Sequence, residues 1–440
     1  VAMKVVREDT HAICEAAICY TGDILDPRRT KYSLKYYLQK ARTLVKMGAH
    51  ILAVKDMAGL CTPYAAATLV RALRDELDVP IHFHTHDTSG INAGSILRAA
   101  AAGLDIADGA MAAMSGTTSQ PCLNSVAAAL RHTSRDPGLD QAAMDRVSEY
   151  WERVRGFYYP FEEDIKSPSA EVYRHEMPGG QVTNLRQQAR SLGLEGRWHD
   201  VCAAYAQANQ LFGDIVKVTP SSKVVGDMAL FMVANNLTAN DVLHPKKPLS
   251  FPKSVVEMMQ GLIGRPAEGW PRAIQKQVLD SAGVKPIKGR PGAHLPAADF
   301  VKTRRELAAK IRREPTELDV ITYLLYPQVF LDFEKAAKQY EDLSVIPTQY
   351  FFFGLQSGEE VNIEIEEGKT IVVKFLTIGE ARDDGMRTVF FELNGQPREV
   401  LVPDRKLESK LHRHPKADKD DPNHVAAPMP GKCTNVAVKK

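Results

Sequence analysis

The chain is 440 residues long, about three domains' worth at roughly 150 residues each. Apolar residues make up 44% and charged residues 25%, which excludes a disordered chain, a collagen and a coiled coil. With 56 basic and 54 acidic residues the net charge is +2, so no global field holds nucleic acid or an anionic membrane. No uninterrupted apolar run approaches the roughly 18 residues of a membrane span. The 6 cysteines include no Cys-x-x-Cys pair, a usage that fits a reducing compartment better than a disulfide framework or zinc ribbon.

In chain order, 12–20 (AICEAAICY within it) is short, apolar and strand-like. Residues 33–48 carry apolar side chains at helical spacing behind Ser33 as a cap. HILAVK (50–55) predicts a buried strand, and 63–77 a helix capped by Thr62 with Pro63 in its first turn. IHFHTH (81–86) predicts a strand, 91–102 a helix, 104–114 opens as a strand, and 121–132 is a helix again. This alternation is the signature of βαβ units with a parallel sheet. Four such units are half of an eight-fold barrel or a doubly wound sheet, and periodicity does not choose between them. From about 140 to 345 the pattern is mostly helical, with an exposed crossing at 284–296. Near 350 the period drops to two: 361–379 alternates around Glu367-Gly368, and 388–402 places Asn394-Gly395 between two strands, a strong hairpin signal. Charged, proline-bearing residues 416–432 read as a linker into a further domain, and the histidines of 412–424 read as part of a solvated tract rather than a metal site.

His84 and His86 alternate along a strand, so they share a face about 7 Å apart and can bind one divalent ion. His82 lies on the same face. The competing reading is a core face of hydrogen-bonded histidines. Lys55 ends the preceding strand on the face of Ile51 and Ala53, where parallel barrels build active sites; a snorkelling strand-end lysine is the alternative. In KVTPSSK (217–223), Thr219 precedes Pro220 and reads either as a helix cap or as a hydroxyl presented beside Ser222 and Lys223. Neither GxxxxGK[ST] nor GxGxxG occurs, so ATP and NAD are not bound by those routes.

AAICYTGD (16–23), TKYSLKYY (30–37), VKDMAGL (54–60), HFHTHDTSG (82–90), MSGTTSQP (114–121), PGGQVTNL (178–185), VKVTPSSKVVGDMA (216–229), LSFPKSVVE (249–257), RTVFFELNGQPREV (387–400) and APMPGK (427–432) closely resemble the pyruvate carboxylase family, in order along essentially the whole chain. The resemblance implies a fragment of a longer polypeptide. Its fold class is α/β: a partial (β/α)8 barrel, about the last four strands, with a helical C-terminal funnel, followed by a smaller α+β domain with β-hairpins. Residues 1–300 are expected to be the carboxyltransferase domain, 301–425 the central allosteric and tetramerisation domain with its linker, and 426–440 the start of the biotinyl carrier domain. The biotin-bearing lysine, the ATP-using domain and the first half of the barrel would lie outside this chain, which alone is expected to be inactive.

By position, the resemblance assigns Lys55 as a carbamylated metal-bridging lysine, His84 and His86 as histidine ligands, Thr219 as a proton shuttle between pyruvate and biotin, and Ser222 and Lys223 as polar residues beside the biotin pocket. A fourth ligand, an aspartate, is outside the chain. The implied reaction transfers the carboxyl group of carboxybiotin to pyruvate, giving oxaloacetate for anaplerosis and gluconeogenesis through a metal-assisted enolate. Implied cofactors are biotin and a divalent ion (Mn, Zn, Mg or Co). Implied partners are pyruvate, carboxybiotin, the activator acetyl-CoA and three further copies in a homotetramer, with no nucleic acid and no membrane. The compartment would be a bacterial cytoplasm or a mitochondrial matrix. Alternatives are an oxaloacetate decarboxylase or transcarboxylase subunit, a metal-dependent lyase similar to hydroxymethylglutaryl-CoA lyase, or a non-catalytic regulatory piece.

Overall fold

A computed structural model describes residues 2–404 other than 267, 294 and 383. The expected linker and biotinyl start therefore lie outside the described residues. Two compact units divide at Ala298 and Asp299.

The first unit opens with α1 (Ala2–Asp9), β1 (Glu15–Cys19), α2 (Leu34–Lys46), β2 (Ile51–Asp56), α3 (Pro63–Glu76), β3 (Ile81–Thr85), α4 (Asn92–Ala101), β4 (Ile106–Ala107) and α5 (Leu123–Leu130). The strands form one parallel sheet in the order β1-β2-β3-β4. That consecutive order is what a segment of a barrel wall shows; a doubly wound sheet reverses its order at a switch point. Alternation sets which side is covered. Ile81, Phe83 and Thr85 of β3 are buried under the helices, whereas His82 and His84 are partly exposed on the other face. Leu52, Val54, Leu69, Leu73, Ile96 and Ala99 join strands and helices in one core.

Ser33 and Thr62 occupy the N-cap positions in extended conformation but make no side-chain capping bond, and Pro63 occupies the first turn, where its missing N–H costs nothing. The segment 104–114 opens as a strand, as expected, and the strand is short. Only Ile106 and Ala107 pair with β3, after which the backbone leaves the sheet and Ala110 bridges to Cys122.

The same unit continues through α6 (Gln141–Tyr158), α7 (Val172–His175), α8 (Gly179–Ser191), α9 (Trp198–Leu211), α10 (Ser221–Ala234), α11 (Ala239–Leu243), α12 (Lys253–Gln260) and α13 (Arg272–Ala282). A second core fills this helical part, built on Leu185, Tyr205, Phe212, Val225, Met228 and Val255. α10 is apolar almost all round, consistent with a helix enclosed by its neighbours.

The second unit holds α14 (Phe300–Ile311), α15 (Glu317–Leu325), α16 (Pro327–Tyr340) and α17 (Thr348–Phe353), then an antiparallel meander of β5 (Glu360–Glu366), β6 (Lys369–Ile378), β7 (Met386–Leu393) and β8 (Gln396–Pro403). The turns fall at Glu367-Gly368 and Asn394-Gly395. Asn394 and Gly395 both take positive φ (49° and 76°), which the twist of a two-residue hairpin requires.

Candidate active site

Register decides the site. Cys19, Lys55 and His84 are successive partners across β1, β2 and β3, so they form one row at the C-terminal ends of the strands. The same row's side chains point away from the helices. His86 lies just past the end of β3, its ring centroid 5.3 Å from that of His84 and nearly perpendicular to it. The structure thus brings together Lys55, His84 and His86.

Each imidazole is oriented through Nδ1. His84 Nδ1 is 2.7 Å from Asp108 Oδ2, and His86 Nδ1 is 2.7 Å from the Thr118 carbonyl oxygen. A neutral imidazole that donates from Nδ1 presents a bare Nε2, the arrangement in which protein histidines hold metal ions. Two glycines make room for it. A Cβ on Gly179 would lie 2.7 Å from the Thr118 carbonyl oxygen and 2.9 Å from His86 Nδ1, and one on Gly59 would lie 2.4 Å from the His86 carbonyl oxygen. Gly59 also has φ +73°, a conformation other residues adopt at a cost. The residues present therefore fit a divalent ion. Among the described residues, no group of three or more His, Cys, Asp and Glu side chains could hold one. Lys55 adds an amine, the register partner of His84, at the neighbouring strand end.

His82 is held differently. One ring nitrogen lies 3.1 Å from Glu15 Oε2 and the other 2.9 Å from Asp108 Oδ1. Both nitrogens are engaged, which agrees with its reading as a hydrogen-bonded residue and not a ligand. Burial works against its charged form, but the bonds to Glu15 and Asp108 outweigh burial and raise its pKa. For His86, burial dominates and lowers it. Asp108 bridges His82 and His84, and those bonds keep its carboxyl below the usual range despite burial. Sequence reasoning missed Asp108. Its signal was position, one strand after the His-x-His run and directly past β4.

Beneath the row, on the helix side of the sheet, buried Asp56 fixes the turn that follows β2. Its carboxylate accepts from the amides of Leu60 and Cys61 (both 2.9 Å) and from the Thr85 hydroxyl (2.8 Å). Asn92 Nδ2 donates to Thr85 Oγ1 and to the Gly59 carbonyl. Desolvation pushes the Asp56 pKa up, against the opposing pull of these bonds.

Thr219 is not a helix cap. α10 starts at Ser221 with Pro220 at the cap position and no side-chain cap bond, and the Thr219-Pro220 peptide is cis. The turn is shaped instead by Ser221, whose hydroxyl reaches the carbonyl oxygens of Val216 and Val218 (2.7 Å each). Thr219 is exposed on a cavity of about 350 Å³ lined also by Tyr32, Tyr36, Ile215, Arg265 and Trp270. Ser222 and Lys223 do not line this cavity. Ser222 is 5% exposed in the helical core, and Lys223 is exposed and paired with Asp227 at 2.7 Å.

Comparison with known proteins is specific at this point. A family model described as "Conserved carboxylase domain" matches residues 172–374, and one described as "HMGL-like" matches 3–150. The carboxyl transferase domain of Rhizobium etli pyruvate carboxylase, in a structure with pyruvate and biocytin, is 56% identical with a TM-score of 0.84, covering 92% of this chain and 68% of that one. The chain belongs to the pyruvate carboxylase family. It is 49% identical over 430 residues to the pyruvate carboxylase of Bacillus subtilis and 45% identical over 429 residues to the mitochondrial pyruvate carboxylase of Homo sapiens. It covers 98% and 97% of itself in those matches but only 37% and 36% of the relatives, so it spans little more than a third of their length. The match to the lyase-like model stops at residue 150, and the carboxylase model takes up the helical part and the start of the β meander, which places the family on the carboxylase side. A parallel sheet of consecutive strands is accordingly a stretch of the carboxyltransferase barrel. Among the described residues no helix is long and apolar enough to cross a membrane.

Proposed function

We propose that this chain carries the carboxyl-transfer step of pyruvate carboxylation, in which the carboxyl group of carboxybiotin passes to pyruvate and gives oxaloacetate. One observation carries the reading: Lys55 and His84 are register partners at adjacent strand ends, with His86 beside them and both imidazoles anchored through Nδ1. In this reading Lys55, as its carbamate, His84 and His86 are this chain's metal ligands. A divalent ion held there supplies Lewis-acid stabilisation to the enolate of pyruvate.

Thr219 is the proton relay. An ordinary hydroxyl is too weak a base to hold a methyl proton, so it acts by giving up its own proton to biotin while accepting one from pyruvate, in contact with both. Its exposure on the cavity, free of any capping bond, supports that role. Ser222 and Lys223 belong to the first turn of the same helix and are assigned beside the biotin pocket, Ser222 from the helical core behind the turn and Lys223 from its exposed face. Biotin on a carrier domain, ATP use by a separate domain, activation by acetyl-CoA, a homotetramer, and residence in a bacterial cytoplasm or mitochondrial matrix are parts of the same proposal, supported by full-length bacterial and mitochondrial relatives.

The test uses the full-length protein. Thr219→Ala is expected to lose carboxylation of pyruvate by at least the roughly 10²-fold typical of a removed proton-transfer group while retaining bicarbonate-dependent ATP cleavage. His84→Ala is expected to lose bound metal. Equal loss of both half-reactions in the first variant, or full metal content in the second, refutes the assigned roles.

A further inference from the structure

Four charges that the proposed chemistry does not use lie under the Thr219 turn. Lys217 Nζ donates to Glu176 Oε2 at 2.9 Å, and the Lys217 side chain is 1% exposed. Arg29, in the loop after β1, pairs with the other oxygen of Glu176 and lies 3.6 Å from Asp214 Oδ2. Asp214 Oδ1 in turn accepts from Asn209 Nδ2 at 2.9 Å, and the Asp214 carbonyl accepts from the Tyr32 hydroxyl at 2.6 Å. Three segments distant in sequence thus meet at one neutral cluster.

The placement of its members gives the cluster a direction. Lys217 is two residues before Thr219. Glu176, held at φ +53° just after α7, is three residues before Gly179. The Gly179 amide donates to the Met57 carbonyl at 3.0 Å, next to the end of β2, and the same glycine abuts His86 and its partner Thr118. The segment 176–179 therefore touches the turn bearing the hydroxyl at one end and the strand ends bearing Lys55 and His86 at the other. A buried ion pair is a poor source of stability compared with apolar packing of the same volume. What it does supply is a bond of fixed length and direction.

We propose that Arg29, Glu176, Lys217 and Asp214 are positioning residues that set the distance between the Thr219 hydroxyl and the histidine side of the mouth. The inference rests on the relay role of Thr219 given above. A shift of about 1 Å in a reacting group is enough to cost on the order of 10²-fold in rate.

The test is made in the full-length enzyme with Lys217→Met, which keeps an unbranched side chain one atom shorter and removes its charge. The expected result is a fall of about 10- to 100-fold in kcat for pyruvate carboxylation. KM for pyruvate, metal content and bicarbonate-dependent ATP cleavage are expected to stay within about twofold. The deuterium isotope effect with methyl-deuterated pyruvate should rise, because the misplaced hydroxyl makes proton transfer slower. In a Thr219→Ala background Lys217→Met should cost nothing further, since residues that act as one unit are not additive. Unchanged kcat in Lys217→Met beside an impaired Thr219→Ala overturns this inference alone. So does a Lys217→Met loss that recurs in full on the Thr219→Ala background. Full carboxylation by Thr219→Ala overturns the relay reading as well. Where Lys217→Met does not fold, K217M/E176Q, which leaves Arg29 on Asp214, is measured in the same way; failure of both to fold would make the cluster a purely structural one and overturn the proposal.

Discussion

Gly179→Ala adds a single methyl group against the hydrogen bond that orients His86. The new Cβ would sit 2.7 Å from the Thr118 carbonyl oxygen and 2.9 Å from His86 Nδ1, against an ordinary contact of at least 3.4 Å. The shortfall is about 0.7 Å and about 0.5 Å. These are the two atoms of the hydrogen bond that orients His86, so relief comes either from moving the start of α8 or from breaking that bond. Gly179 is the first residue of α8, where alanine is the better helix former by up to about 1 kcal/mol. Overpacking costs typically about 1–3 kcal/mol, so the net stability loss is expected to be about 0–2 kcal/mol. The larger effect falls on metal affinity. Loss of the bond that orients a ligating histidine costs about 10- to 100-fold, or about 1.4–2.7 kcal/mol. Gly180→Ala is the control, because nothing lies within 4 Å of a Cβ there. Metal dissociation constants from chelator competition and urea unfolding curves on the two full-length variants provide the comparison. Equal metal affinity and equal stability in both variants would show that the Gly179 contact does not position His86.

Other outcomes follow from the same geometry. Asp108→Ala removes the acceptor that His82 and His84 share (2.9 and 2.7 Å) and should weaken metal binding by about 10- to 100-fold, measured by metal content after dialysis; retention of affinity within twofold would exclude an orienting role. His175, the half-buried last residue of α7, accepts from the Met177 amide at 3.0 Å and has its pKa pushed down by desolvation to about 4. A histidine with a folded pKa below its unfolded value of 6.5 binds its proton first in the unfolded chain, so stability is lost as pH falls through 6.5 toward 4. Between pH 7.5 and 5 that loss amounts to about 2 kcal/mol. His175→Gln should flatten the pH dependence of urea unfolding by that amount, and a dependence parallel to the parent's would refute the assignment.

The strands, the His-x-His face and the two hairpin turns were legible because each depends on neighbours in sequence. Alternation placed His82 and His84 on one face of β3, and Asn394-Gly395 needed only its own backbone preference to turn the chain. The roles proposed for Lys55, His84, His86 and Thr219 rest on the resemblance. Local pattern left two features open. The segment 104–114 opens as a strand, but only the structure shows that it ends at Ala107 and that Asp108, its amide still bonded to Phe83, turns its carboxylate onto two histidines. Thr219-Pro220 resembles a helix start, yet Ser221 takes the local carbonyl bonds and leaves the threonine on the cavity.

Sequence by itself determined the periodicity that puts Lys55 and His84 at strand ends, and it nominated them, with His86 and Thr219, as candidates for the chemistry. Only the tertiary structure decided that Lys55 and His84 are register partners, that Gly179 packs against His86, and that Lys217 meets Glu176 at a sequence separation of 41. Those contacts join segments whose separation along the chain carries no local signal. They exist because parallel pairing and helix packing bring distant backbone together, and because a buried charge is tolerated only where the fold delivers its partner.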